Sequence, residues 1–92
     1  MIFLLYPLSQ LKPGQHSEIC WLSDHKPISR RLADLGFEPG TPVSCLLQKS
    51  RGSISAFLIR GAVIALRRED SDLVFVQDPS DQRKGGFHET DS

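Results

Sequence analysis

The sequence predicts a mostly β fold: a small, partly closed barrel of about five strands, with one short α-helix inserted after the first strand. Three observations carry this. Short apolar segments alternate with period two between Gly- and Pro-containing turns, a single stretch around Arg30 switches to helical spacing, and 92 residues suffice for one core but not two. Closing so small a sheet into a barrel also removes exposed edges. The competing arrangement, an open α+β sandwich, needs a second full helix, and between Gly61 and Leu73 only Ala62 to Arg68 is a weak candidate for one.

Taken in order, Leu8 to Gly14 reads as a lead-in, with Leu8 and Leu11 as apolar anchors ahead of the turn pair Pro13-Gly14. From His16 to Leu22, Ile19 and Trp21 share one side of a half-buried strand. Between Ser23 and Gly36 the period changes. Ile28, Leu32 and Leu35 recur at spacings of four and three, which puts them on one helical face. Ser23 and Asp24 offer N-cap oxygens, Pro27 suits the first turn, and Gly36 suits the left-handed residue that closes a helix.

Glu38-Pro39-Gly40 marks a tight turn into the strand Pro42 to Lys49, where Val43, Cys45 and Leu47 are expected on one face and Ser44, Leu46 and Gln48 on the other. Ser50 to Ser53 connects this to an antiparallel return from Ile54 to Arg60. There Ile54, Ala56 and Leu58 face one way and Phe57 and Ile59 the other, so the pattern predicts strong curvature or cover on both faces. Gly61 is a bulge or turn, Ala62 to Leu66 is apolar, and Leu73 to Gln77 makes the last strand. Asp78 to Ser92 is rich in charge, with Phe87 its only large apolar residue, and is expected to be a flexible tail.

Function is narrowed mainly by exclusion. Lys+Arg and Asp+Glu each number 11, so the neutral chain offers no broad field for nucleic acid. The apolar run Met1 to Leu5 lacks a basic n-region and is far too short to span a bilayer, and the chain is therefore expected in the cytoplasm. Cys20 and Cys45 fall in strand segments without zinc-site spacing, which suits buried reduced thiols. His16, His25 and His88 share no spacing with other ligands, Glu69, Asp70 and Asp72 suit a solvated turn, and the isolated glycines form no phosphate loop. No nucleophile with its base and no clustered carboxylate pair stands out.

Several spacings together resemble one known family. Leu8-x-x-Leu11-x-x-Gly14, a strand ending near Leu22, Arg30-Arg31-Leu32-x-x-Leu35-Gly36-x-x-x-Gly40 with Val43, Gly61-x-x-x-Ala65-Leu66-Arg67 and the strand Leu73 to Val76 are similar to FeoA, the small cytosolic accessory proteins of bacterial ferrous-iron uptake. The resemblance covers Leu8 to Gln77. It implies an SH3-like barrel over residues 1–77, followed by the 78–92 tail. It also implies no enzymatic activity and no resident cofactor, with weak divalent-metal binding and self-association left open. The implied partner is FeoB, the ferrous-iron permease with a cytosolic GTP-binding domain, through which the chain meets the membrane. A similar fold occurs as the C-terminal domain of iron-dependent repressors.

Under that resemblance the outward helix face, Arg30, Arg31, Ala33 and Asp34, is the candidate partner-binding surface. The plainer reading has Arg31 pack its stem and pair with Glu38 or Asp34. Two other functions compete. One is a nucleic-acid-binding barrel using Arg51, Arg60, Arg67 and Arg68, and the other is metal response through Cys20, Cys45 and a histidine.

Overall fold

The computed structural model describes residues 4–23, 26–78 and 80–81. In chain order the elements are β1 (Tyr6–Pro7), β2 (Gln15–Leu22), α1 (Pro27–Asp34), β3 (Pro42–Lys49), β4 (Ile54–Ile59), β5 (Ala62–Arg67), the one-turn α2 (Arg68–Ser71), β6 (Val74–Val76) and β7 (Ser80–Asp81). The strands lie in the order β1-β6-β2-β3-β4-β5, with β7 also beside β2, and every pairing is antiparallel. Strand β2 joins two halves of this sheet. Its first part pairs with Pro42–Ser44 of β3 and its last part with Val74–Val76 of β6, with a bulge between Ile19 and Trp21 where the partner changes. A bulge bends and twists a strand, and this one turns the sheet into the predicted SH3-like barrel.

The five predicted strands are β2 to β6. Two-residue strands are added at either end. Tyr6–Pro7 pair with Phe75–Val76, and Ser80–Asp81 pair with Gln15–His16, so the sheet extends past position 77. Residues 82–92 of the expected tail lie outside the described residues. Glu69 and Asp70, expected with Asp72 in a solvated turn, lie in the single helical turn Arg68–Ser71, with Arg67 in ion pairs to Glu69 at 3.7 Å and Asp70 at 3.6 Å. Among the described residues no helix is long and apolar enough to cross a membrane.

Helix α1 starts where Pro27 fits its first turn, but the preceding cap position is Lys26, with no side-chain cap. Ser23, expected as a cap, instead directly follows β2, where its N–H donates to the Leu73 carbonyl at 2.8 Å. Asp24 lies outside the described residues. The helix ends as predicted at Gly36, whose φ is +114°. The Gly36 N–H donates to the Ala33 carbonyl and the Phe37 N–H to the Leu32 carbonyl, both at 3.0 Å, a Schellman motif. That reversal drops Phe37 onto Leu32 in the core. It also corrects one expectation: Leu35, read as part of the buried stripe, is 41% exposed, because it precedes the reversal and falls on the solvent side.

A side chain at position 36 is blocked twice. The backbone there is left-handed, and a Cβ would lie 2.9 Å from Arg60 Cδ. Gly36→Ala should therefore lower stability by about 2 kcal/mol in urea unfolding. Adding Arg60→Ala should recover only the part due to the clash.

Strand β3 departs from simple alternation. Val43 and Cys45 are buried as expected, but a bulge between Cys45 and Leu47 shifts the register. Beyond it Leu47 faces out opposite Ala56, while Gln48 turns in and donates to the Leu11 carbonyl at 3.1 Å. Period-two alternation makes this obligatory, since one extra residue swaps the faces of all that follow. On β4, Phe57 and Ile59 are buried, whereas Ile54 and Leu58 on the other face are exposed and only Ala56 between them is covered. Of the two expected alternatives, curvature or cover on both faces, the second does not hold, and β3 to β5 present an apolar outer face to solvent.

Candidate docking surface

Helix α1 buries one stripe and presents the other. Leu32 and Ser29 are buried and Ile28 packs against the core, which sets the helix against the barrel. A turn of 100° per residue then sends Arg30, Arg31 and Asp34 outward, with Ala33 half-buried beside them. All four predicted residues thus share one accessible region. Arg31, Asp34 and Leu35 stand at i, i+3 and i+4, so Leu35 adds an apolar group to this charged face. Its position directly before the closing Gly36 was the available signal that Leu35 would not reach the core.

The two arginines are free to meet a partner's charge. Among the described residues neither has a carboxylate within 4.0 Å, and Glu38, an expected partner of Arg31, pairs instead with Arg60 at 3.5 Å. Arg60 reaches Glu38 by lying across Gly36, so the glycine that ends the helix also fixes this pair. Exposed pairs of this kind contribute little to stability. With Glu38 held in this way, neither α1 arginine has a carboxylate partner among the described residues.

The competing arginine set is divided. Arg60 and Arg67 are held by carboxylates, Arg51 lies in the turn between β3 and β4 with φ +59°, and Arg68 begins α2. An aromatic pair, the exposed Trp21 with the half-buried Phe75 at 5.3 Å between ring centroids, sits on β2 and β6 and outside that set.

The cysteines are also separate in kind. Cys20 is half-buried at the β2 bulge, whereas Cys45 is buried in β3, its thiol directed at the Leu47 carbonyl at 3.8 Å. Both are reduced, and among the described residues no three His, Cys, Asp or Glu side chains gather to hold a metal ion. Burial pushes the Cys45 thiol above its ordinary value of 9.0, opposed by the Leu47 hydrogen bond and by Lys12. A thiol harder to ionise when folded binds its proton after the unfolded chain has lost its own. The contribution of Cys45 to stability should therefore be complete below the ordinary value of 9.0 and decline as pH rises through the raised folded value. Urea unfolding at pH 7 and pH 10 reads this, and Cys45→Val should remove that part of the decline.

The FeoA domain family matches residues 6–78. Among solved structures, FeoA from Chlorobium tepidum is 26% identical with a TM-score of 0.70, over 78% of this chain and 69% of that one. Zinc-complexed FeoA from Stenotrophomonas maltophilia, described as a prokaryotic SH3 domain protein, is 24% identical with a TM-score of 0.72, over 82% of this chain and 95% of that one. The fold also matches IdeR of T. acidophilum, at 18% identity and a TM-score of 0.72, over 84% of this chain but 35% of that one. No curated protein sequence matches the chain.

Proposed function

The chain belongs to the FeoA domain family, and from that premise we propose that it is a non-enzymatic accessory protein of bacterial ferrous-iron uptake. It acts in the cytoplasm by docking through α1 on the cytosolic GTP-binding domain of a FeoB-type permease and modulating transport. The observation that supports this reading is the outward face of α1. Arg30 and Arg31 are exposed and have no carboxylate partner among the described residues, next to Asp34 and the exposed Leu35. A charged rim beside an apolar contact is the usual composition of a specific, reversible interface. The orientation of this face follows from the opposite side of the helix, where Leu32 is buried in the core and the Schellman turn brings in Phe37.

The test is a binding titration of the full chain against the purified cytosolic domain of the permease, with and without guanine nucleotide, paired with ferrous-iron uptake in cells lacking this protein. Saturable binding and altered uptake are expected. Absence of binding in every nucleotide state, together with unchanged uptake, overturns the reading.

A further inference from the structure

We propose that β5 is a self-pairing edge, through which two copies of this chain join antiparallel into one continuous sheet. The two ends of the sheet are treated differently. The β1 edge is two residues long and carries Pro7, both devices that discourage strand addition. The β5 edge runs six residues in unbroken register, with no proline and no lysine. Arg60 and Gly61 form its two-residue turn, both with positive φ, so Ile59 and Ala62 are a hydrogen-bonded pair. Alternation then points the N–H and C=O groups of Val63, Ala65 and Arg67 away from β4. Among the described residues no turn or loop hydrogen bond reaches the groups of Val63 and Ala65 or the Arg67 N–H, while the Arg67 C=O, at the N-cap of α2, accepts the first bond of that helix.

A second copy fits this edge better than an unrelated strand, on three grounds. First, a two-fold axis at Ala65 pairs Ala65 with its equivalent and sets each Arg67 N–H against the Val63 C=O of the second copy, giving about four hydrogen bonds. Second, that register is apolar on both sides. Ile64, half-buried in the monomer, faces Leu66 of the second copy, and the Arg67 stem covers Val63, which is 65% exposed. Third, charge does not oppose it. The chain is formally neutral, Arg67 is already paired with Glu69 and Asp70, and the two Arg67 residues end roughly 13 Å apart, beyond the screening length. An interface this small belongs to the weak, concentration-dependent class.

Sedimentation velocity of the full chain from about 1 µM to about 1 mM reads the equilibrium. A reversible monomer–dimer transition is expected, weakened at least tenfold by Val63→Lys. That substitution is at a well-exposed site and leaves the pairing with β4 intact. Register is read by oxidation in a Cys20→Ser background: Ala65→Cys should give a disulfide-linked dimer, and Val63→Cys should not. A wild-type chain monomeric throughout, or a dimer indifferent to Val63→Lys, overturns the proposal.

Discussion

Phe57→Ala should destabilise the domain by about 3–5 kcal/mol and lower its melting temperature by roughly 15–30 °C. Phe57 is completely buried at the centre of β4, edge-on to Phe37 with ring centroids 6.4 Å apart and planes at 88°. Truncation removes both the burial of a full ring and an aromatic pair worth about 1 kcal/mol beyond its area. The surroundings cannot collapse into the gap. Phe37 is fixed by the Schellman turn and Cys45 by pairing across from Phe57 in β3. For a domain of this size, where total stability is about 5–15 kcal/mol, much of the protein would unfold near physiological temperature.

Leu58 supplies the control, because it is the next residue and faces the other way. Leu58→Ala should cost less than about 1 kcal/mol, and Phe57→Leu, which retains most of the volume, should fall between the two. Chemical unfolding followed by circular dichroism gives all three values. Equal losses at positions 57 and 58 would contradict the assigned register of β4.

The same contrast shows which parts of the fold were legible in the sequence. Local signals stood out wherever backbone chemistry was decisive. Pro27 opened the helix, Gly36 closed it, and the alternation of β4 separated Phe57 and Ile59 from its other face. The inward side of α1 was legible through Leu32, and therefore so was the outward side holding Arg30, Arg31 and Asp34. Features set by long-range pairing were not. The β3 bulge that exposes Leu47 depends on how β4 lies against it, and nothing within Pro42 to Lys49 marks the extra residue. Tyr6–Pro7 and Ser80–Asp81 are too short to show any period and become strands only because β6 and β2 offer them edges. Leu35 departs from its helical pattern for a related reason. Helical spacing includes it, but the chain reversal at Gly36 recruits Phe37 in its place.

If α1 is the proposed docking face, reversing both its cations, Arg30→Glu with Arg31→Glu, should weaken binding to the permease's cytosolic domain by about 10- to 100-fold without loss of folding stability. Each reversal replaces +1 with −1, so the formal net charge changes from 0 to −4. Both side chains are exposed and make no ion pair among the described residues, so substitution should alter unfolding by no more than about 0.5 kcal/mol. Complementary charge at an interface acts largely on the encounter, so the loss should be concentrated in the association rate and should shrink as salt is raised. Global charge must be separated from location. Arg51→Glu with Arg68→Glu makes the same change in net charge in the β3–β4 turn and at α2, away from α1. This second pair should leave affinity within about twofold of the unaltered chain, because exposed charges more than a screening length from the contact contribute little. Equal weakening by both pairs would assign the effect to net charge, and no weakening by the first would remove α1 from the interface. Leu35→Ser then resolves the remaining part of the surface. If the apolar group beside the arginines is covered on docking, its loss should speed dissociation by several-fold while leaving the salt dependence of association unchanged.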